Sequence, residues 1–478
     1  MAEKHPVQIE FEKICEVPRR SFHNEKIMAY CIKWAEDNGF EYYHDSENGN
    51  LIISKAAAPG MENAPGVVLQ GHLDMVAAKD EGVEHDFDTE GIDWYIEDDW
   101  YKARGTTLGA DNGVAPAIAF ALFKDPSFKN PPMEILLTTD EEVGMCSLLK
   151  ADLRCLKGKY LVNLDCGPEG NFVIGCCGGK GAKTRVKKEF EPASGNGYKV
   201  VISGLQGGHS GGMIRKIRAN AIKLMGQYLF GLRKLGEIRI SEVKAEGRDN
   251  AISNRMECVF TSSMSQAQAE EYTAKMQEKF SLLYRVTDPD VNITIEPVQV
   301  DKVLTKEKSE ALGFLLHEIP YGVQYMEQGD LNAIETSDNP GMIEQNDEYM
   351  DIVISIRSSV PERIEEIEDR MRDLCNICGA ELVAGEKAYP GWMPDYSSPL
   401  IGHFTNLYKN MYGEEAVYGA IHAGLECGFI LDCSNLEAAI AIGPNATGGH
   451  TTQEKLSVSS FLRFYDFVKA AVESIDTI

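Results

Sequence analysis

Three short stretches in the first third of the chain put acids or a histidine where an apolar run ends, and a fourth places an aspartate just before a helix. Gly71-His72-Leu73-Asp74 follows Val67-Val68-Leu69, and Thr139-Asp140-Glu141-Glu142 follows the run from Met133 to Leu137. Asn163-Leu164-Asp165 closes the run that starts at Tyr160, and Leu108-Gly109-Ala110-Asp111-Asn112-Gly113 lies between the first two. A histidine among carboxylates makes a nitrogen-and-oxygen donor set, suited to zinc, manganese or cobalt rather than to a thiolate-bound ion. Without a cation, so many carboxylates at one edge would repel each other. On a strand His72 and Asp74, two apart, point the same way, so one can bind metal while the other hydrogen-bonds the far ring nitrogen. Glu141 and Glu142 are adjacent and are expected to point apart, one ligating and the other facing an attacking water as general base. A lone HxD or Glu-Glu pair is usually a solvated surface feature; four such elements at successive strand ends are a metal site.

The elements that must position these residues alternate. Three strands are expected at the apolar runs, with helices over Val114 to Phe123 and Met145 to Leu153, which gives an α/β layer with a largely parallel sheet. Ligands of such sheets bind at the carboxyl ends of the strands. Upstream, Ile27, Cys31 and Trp34 recur at helical spacing and Asn38-Gly39 ends that helix. The middle of the chain reads as α+β: strands at Tyr198 to Leu205 and Arg255 to Thr261, helices at Ala219 to Leu232 and Gln266 to Leu283. There RMECVFTSS before an acidic helix is similar to DIVISIRSS before PERIEEIEDRMRDLC, a weak internal duplication. After Tyr389-Pro390-Gly391, a plausible hinge, the pattern returns to a strand at Ala438 to Ile442, the loop GPNATGGHTTQ and a closing helix from Val458 to Ile475. The expected architecture is a discontinuous α/β domain, residues 1–186 and 387–478, with an α+β domain, 187–386, inserted in its middle.

Composition narrows the function. A chain of 478 residues with 43% hydrophobic residues is expected to build full cores in two compact units. Its 74 acidic against 47 basic residues leave a net charge of -27, which argues against nucleic acid as a partner. No run approaches a membrane span and the N-terminus lacks a secretory pattern, so a cytoplasmic protein with no membrane partner is expected. The 12 cysteines then read as reduced thiols, including the Cys375/Cys378 CxxC and adjacent Cys176 and Cys177.

The motifs GHLDMV, GADNGVAPA, TTDEEVGM, NLDC, GGHSGG and GGHTTQE resemble, in order and over nearly the whole chain, those of the M20 family of metallopeptidases. IHAGLECG and VPRRSFHNEK resemble the branch of that family that acts on aminoacyl-histidine dipeptides. The resemblance implies a zinc-peptidase catalytic domain with an inserted lid, hydrolysing small peptides, dipeptides such as Xaa-His included. It implies two zinc ions (cobalt or manganese as alternatives) bridged by Asp111, with His72 and Asp165 completing one site and Glu142 and His450 the other. Asp74 would orient His72, and Glu141 would be general base and then proton donor. His422 competes for the last ligand position; His450 is preferred because its loop follows an apolar strand, as in the family. In the lid, His209 would steady the oxyanion, Arg357 would hold the substrate's C-terminal carboxylate, and Gly424 would offer it backbone. A cis Asp111-Asn112 peptide and a homodimer are also implied. A tripeptidase, carboxypeptidase or amidohydrolase shares the metal motifs, and a binding protein on the same fold is the non-catalytic alternative.

Overall fold

The computed structural model describes residues 4–478, with the side chains at 386 and 387, where one expected domain boundary falls, outside the described residues. The chain divides into two compact units. The first runs up to Cys176 and resumes over Trp392–Ala420 and Leu425–Ile478; the second comprises Cys177–Gly391 and Ile421–Gly424.

In the first unit an eight-stranded sheet has the order Glu41–Asp45, Asn50–Lys55, Met133–Thr138, Val67–His72, Tyr160–Asn163, Ala438–Ala441, Asn171–Cys176, Val417–Ile421. The four strands from Met133–Thr138 to Ala438–Ala441 are mutually parallel. Val67–His72 and Met133–Thr138 are buried at every position, as continuous apolar runs in a covered parallel sheet must be. The one acid within them, Glu134, is satisfied by the Lys157 and Gly158 amides. Helix Ala110–Lys124 is almost wholly buried, with Phe120 stacked on Trp34 of helix Glu25–Asp37. The helix expected over Met145 to Leu153 is absent: Gly144 and Met145 both adopt positive φ, and only a single 3-10 turn, Cys146–Leu148, forms.

The second unit contains one topology twice. Strands Asn196–Ser203, Ile238–Lys244, Met256–Ser262 and Asn292–Pro297, with helices Ala221–Leu232 and Gln266–Leu283, form an antiparallel sheet whose order is second, third, first, fourth. Strands Gly178–Lys187, Ile334–Gln345, Tyr349–Ser358 and Glu381–Tyr389, with helices Lys306–Glu318 and Pro361–Cys378, repeat that order and those pairings, with Gly322–Met326 added at the edge. The first copy is inserted in the chain between the first strand and first helix of the second. The weak repeat in the sequence is therefore matched by topology. Register agrees as well: Thr261 faces Gly197 in one copy, and Arg357, at the matching place, faces Gly179 in the other.

No disulfide joins any of the described cysteines. Among the described residues, no helix is long and apolar enough to cross a membrane.

Candidate metal centre

The four parallel strands deliver their C-terminal ends to one edge of the sheet, and each continues into a loop carrying a polar side chain of interest. His72 ends its own strand; Asp74, Glu141, Glu142 and Asp165 lie just past theirs, and His450 lies in the loop beyond Ala438–Ala441. Three groups of side chains bring ligand atoms within 4.8 Å of each other: His72, Asp111 and Asp165; Asp111, Glu142 and His450; and His72, Glu141 and Glu142. The first two share Asp111, whose oxygens diverge. Its Oδ1 lies 3.0 Å from His72 Nε2 and its Oδ2 3.2 Å from His450 Nε2. Glu142 Oε2 lies 2.9 Å from the same His450 nitrogen, and Asp165 Oδ2 3.6 Å from His72 Nε2. His422 is not in this cluster; it belongs to the second unit.

Local backbone explains the convergence. Asp111 and Asn112 open helix Ala110–Lys124 with non-helical φ/ψ, after Gly109 at φ 70°, and the peptide between them is cis. Asn112 donates to Leu164 O and to Asp165 Oδ1, tying that turn to the next strand end. Asp140, at φ 56°, turns the chain after Thr138. Glu141 and Glu142 thus lie in a turn rather than on a strand, and their carboxylates converge on His72 instead of pointing apart. Asp74 is buried beside the far nitrogen of His72, Oδ1 to Nδ1 3.3 Å. It also accepts the Glu141 and Glu142 amides at 3.1 and 3.4 Å, so one carboxylate orients a histidine and caps the turn of both glutamates.

The electrostatics are those of crowded negative charge. Burial favours neutral His72, but Asp165, Asp111 and Asp74 outweigh it and raise the imidazole well above its ordinary range. Hydrogen bonds to Asp111 and Glu142 raise His450 to about 10. Burial, reinforced by neighbouring carboxylates, pushes Glu141 up to about 7 and Asp165 well above the usual carboxylate range. Glu142 Oε1 is buried with no hydrogen-bond partner. Imidazoles and carboxylates facing one another, one buried oxygen unpartnered, are a donor set that fits hard-to-borderline divalent cations.

Several residues here had no assigned role. Gln70 donates to Glu426 Oε2 at 2.6 Å and accepts from Asn163, whose Oδ1 takes the Asp165 amide. The signal was present: Gln70 and Asn163 are lone polar residues in apolar runs. Ser21 donates to Asp74 Oδ2 at 2.7 Å from within the VPRRSF segment.

The second unit holds a cluster of opposite character. Arg357 is buried, donates from Nη1 to the Tyr389 hydroxyl at 2.8 Å, and has a buried Nε without a partner. Among the described residues no acid lies within ion-pair distance of it, so the guanidinium is open to an anion. His422 Nε2 lies 2.6 Å from Ser337 Oγ; burial, then Arg357, pushes this ring down to about 4. The same causes lower His209, whose Nδ1 accepts the Gly211 amide at 3.2 Å. That leaves the neutral ring's proton on Nε2, available to donate. Gly424 follows Ala423, whose carbonyl takes the Cys177 amide.

Residues 68–474 match the model of peptidase family M20/M25/M40. The chain is 32% identical over 469 residues to the cytosol non-specific dipeptidase of Escherichia coli K12, covering 97% of this chain and 96% of that one. It superposes on the crystal structure of aminoacylhistidine dipeptidase from Vibrio alginolyticus with a TM-score of 0.90 and 33% identity, covering 98% and 96% of the two chains. A tripeptidase from Staphylococcus aureus, 12% identical with a TM-score of 0.58 over 100% and 99% of the chains, shares the fold.

Proposed function

The chain belongs to the M20 peptidase family, and from that premise we propose that it is a cytoplasmic dipeptidase using two zinc ions, with Xaa-His dipeptides among its substrates. The observation that carries this reading is the divergence of the two Asp111 oxygens toward different histidines, which joins two donor groups through one carboxylate. His72 and Asp165 would hold one ion and Glu142 and His450 the other. Bound there, the ions supply Lewis acidity toward the scissile carbonyl and toward water.

The remaining work belongs to the chain's own residues. Glu141 shares a group with His72 and Glu142 but belongs to neither of the two groups joined by Asp111, which leaves its carboxylate free to act on water. It accepts the proton of the attacking water and returns it to the departing amine. Asp74 keeps the His72 ring in one tautomer and fixes the Glu141 turn. For the second unit, Arg357 binds the substrate's C-terminal carboxylate by charge-assisted hydrogen bonds, with Gly424 backbone alongside. His209 donates its Nε2 proton to the oxyanion, a contact worth most in the transition state.

The test is a panel of dipeptides, tripeptides, acyl-amino acids and C-terminally amidated dipeptides on zinc-loaded protein, with metal content measured in parallel. Two ions per chain and turnover concentrated on free dipeptides are expected. Preferential turnover of tripeptides or acyl-amino acids would move the assignment elsewhere in the family.

A further inference from the structure

Two buried charged residues, far apart in sequence and outside every donor group, grip the backbone that carries the bridging carboxylate. Arg19, only 2% exposed, donates Nη1 to Leu73 O at 3.0 Å and Asp74 O at 3.2 Å, and Nη2 to Gly109 O. Glu454, 4% exposed, accepts the Leu108 and Gly109 amides on Oε2, both at 2.8 Å, and the Asp111 amide on Oε1 at 3.1 Å. Gly109 is thus held by its carbonyl from one side and by its amide from the other. It admits no side chain: its φ is +70°, and a Cβ would stand 2.5 Å from Arg19 Nη2 and 2.7 Å from Met75 Sδ.

The grip reaches three of the loops that bear donors. Arg19 joins the His72-Leu73-Asp74 strand end to the Asp111 turn. Glu454 lies four residues after His450 and joins that loop to the same turn. Burial disfavours the Arg19 cation, and Glu454 is among the groups that partly offset that cost. Burying a charge is costly unless hydrogen bonds offset it; the Arg19 guanidinium bonds three carbonyls through its two terminal nitrogens, its buried Nε alone lacking a partner, and the Glu454 carboxylate bonds three amides. None of these bonds involves a donor atom of the metal groups.

We infer that Arg19 and Glu454 form a clamp that builds the bridging Asp111 turn before any metal binds, so that cations enter a preorganised site. Both are positioning residues, and the inference rests on the two-ion reading above. Without the clamp, ordering residues 108–111 is charged against metal binding itself. Affinity then falls while chemistry at saturating metal is spared.

The test uses the full chain stripped of metal by chelation. Amide hydrogen exchange over residues 106–113 should be slow in the metal-free wild type, become markedly faster in Glu454→Gln, and slow again when zinc is added. Competition against a chromophoric chelator should show zinc binding weakened about 10- to 100-fold, the usual cost of losing a supporting contact. kcat at saturating zinc should stay within a few-fold of wild type. Arg19→Lys, which keeps the charge but not the fork, should show the same pattern more weakly and serves if Glu454→Gln does not fold. Wild-type exchange over 106–113 already fast without metal would overturn the clamp, as would unchanged zinc affinity in a folded variant. A wild type that binds no zinc would instead overturn the metal reading, and the exchange measurement would still judge the clamp.

Discussion

Four histidines mark the two candidate regions of the molecule, and their surroundings push them in opposite directions. In the first unit His72 and His450 are raised by carboxylates gathered at parallel strand ends. In the second, His209 and His422 are lowered by burial and by Arg357. One region presents excess negative charge and fits cations. The other presents a guanidinium with no acid partner among the described residues, beside imidazoles pushed toward their neutral form, and has the charge to take an anion. The same side chain is drawn toward its cationic form among carboxylates in one setting and toward its neutral form beside an arginine in the other, and sequence position alone does not tell which.

The sharpest way to break this contrast is within the acidic region. Glu141→Gln should lower kcat by about 10²- to 10⁴-fold, the usual worth of a general base, with both ions retained. Glu142→Gln should instead lower metal content, since its Oε2 faces His450 and its Oε1 lacks a partner. Exchange of these two outcomes would reverse the roles of the glutamates.

The neutral-donor half of the contrast is tested next. His209→Ala should lower kcat by about 10²- to 10³-fold with KM little changed, as for loss of an oxyanion donor. Arg357→Ala should act mainly on KM, raising it about 10- to 100-fold for free dipeptides, as loss of a charged hydrogen bond does. Amidated dipeptides should be poor for wild type and little worsened by this change. Equal losses on free and amidated dipeptides would show that Arg357 does not read the carboxylate.

How much of this could be read beforehand depended on the physical signal. Apolar runs ending in acids gave the central strands, because a parallel sheet covered on both faces needs unbroken hydrophobicity. Loop geometry was less legible. Nothing in Thr139-Asp140-Glu141-Glu142 announces that Asp140 takes a left-handed conformation, and the strand rule therefore sent the two carboxylates to opposite sides. The helix expected after Met145 failed for a related reason, since positive φ at Gly144 and Met145 overrode its apolar spacing. Gly208-His209-Ser210 and Ile356-Arg357-Ser358 carried no chemistry of their own in the sequence. A lone arginine on a strand is ordinarily solvated, and only the fold reveals that Arg357 is buried with no acid beside it among the described residues. Arg19 and Glu454 were hidden most deeply, because their partners are backbone atoms, which leave no trace in residue type.

The smallest predicted effect concerns pH and the second unit alone. His422 titrates near 4 in the folded chain against an ordinary value near 6.5, because burial and Arg357 disfavour its cation. A group whose folded value is depressed stabilises the fold above its unfolded value and loses that contribution as pH falls. The loss should therefore begin near pH 6.5, where the unfolded chain takes up the proton, and be complete near 4, where the folded ring does too. His422→Gln keeps a polar partner for Ser337 but cannot titrate. Denaturant unfolding of wild type and variant at a series of pH values should show the stability difference shrinking between about pH 6.5 and 4 in favour of the variant. Other groups titrate in this window in both proteins and cancel in the difference. A difference that stays flat with pH would mean that His422 is not held neutral, and the contrast between the two pairs of histidines would fail on that side.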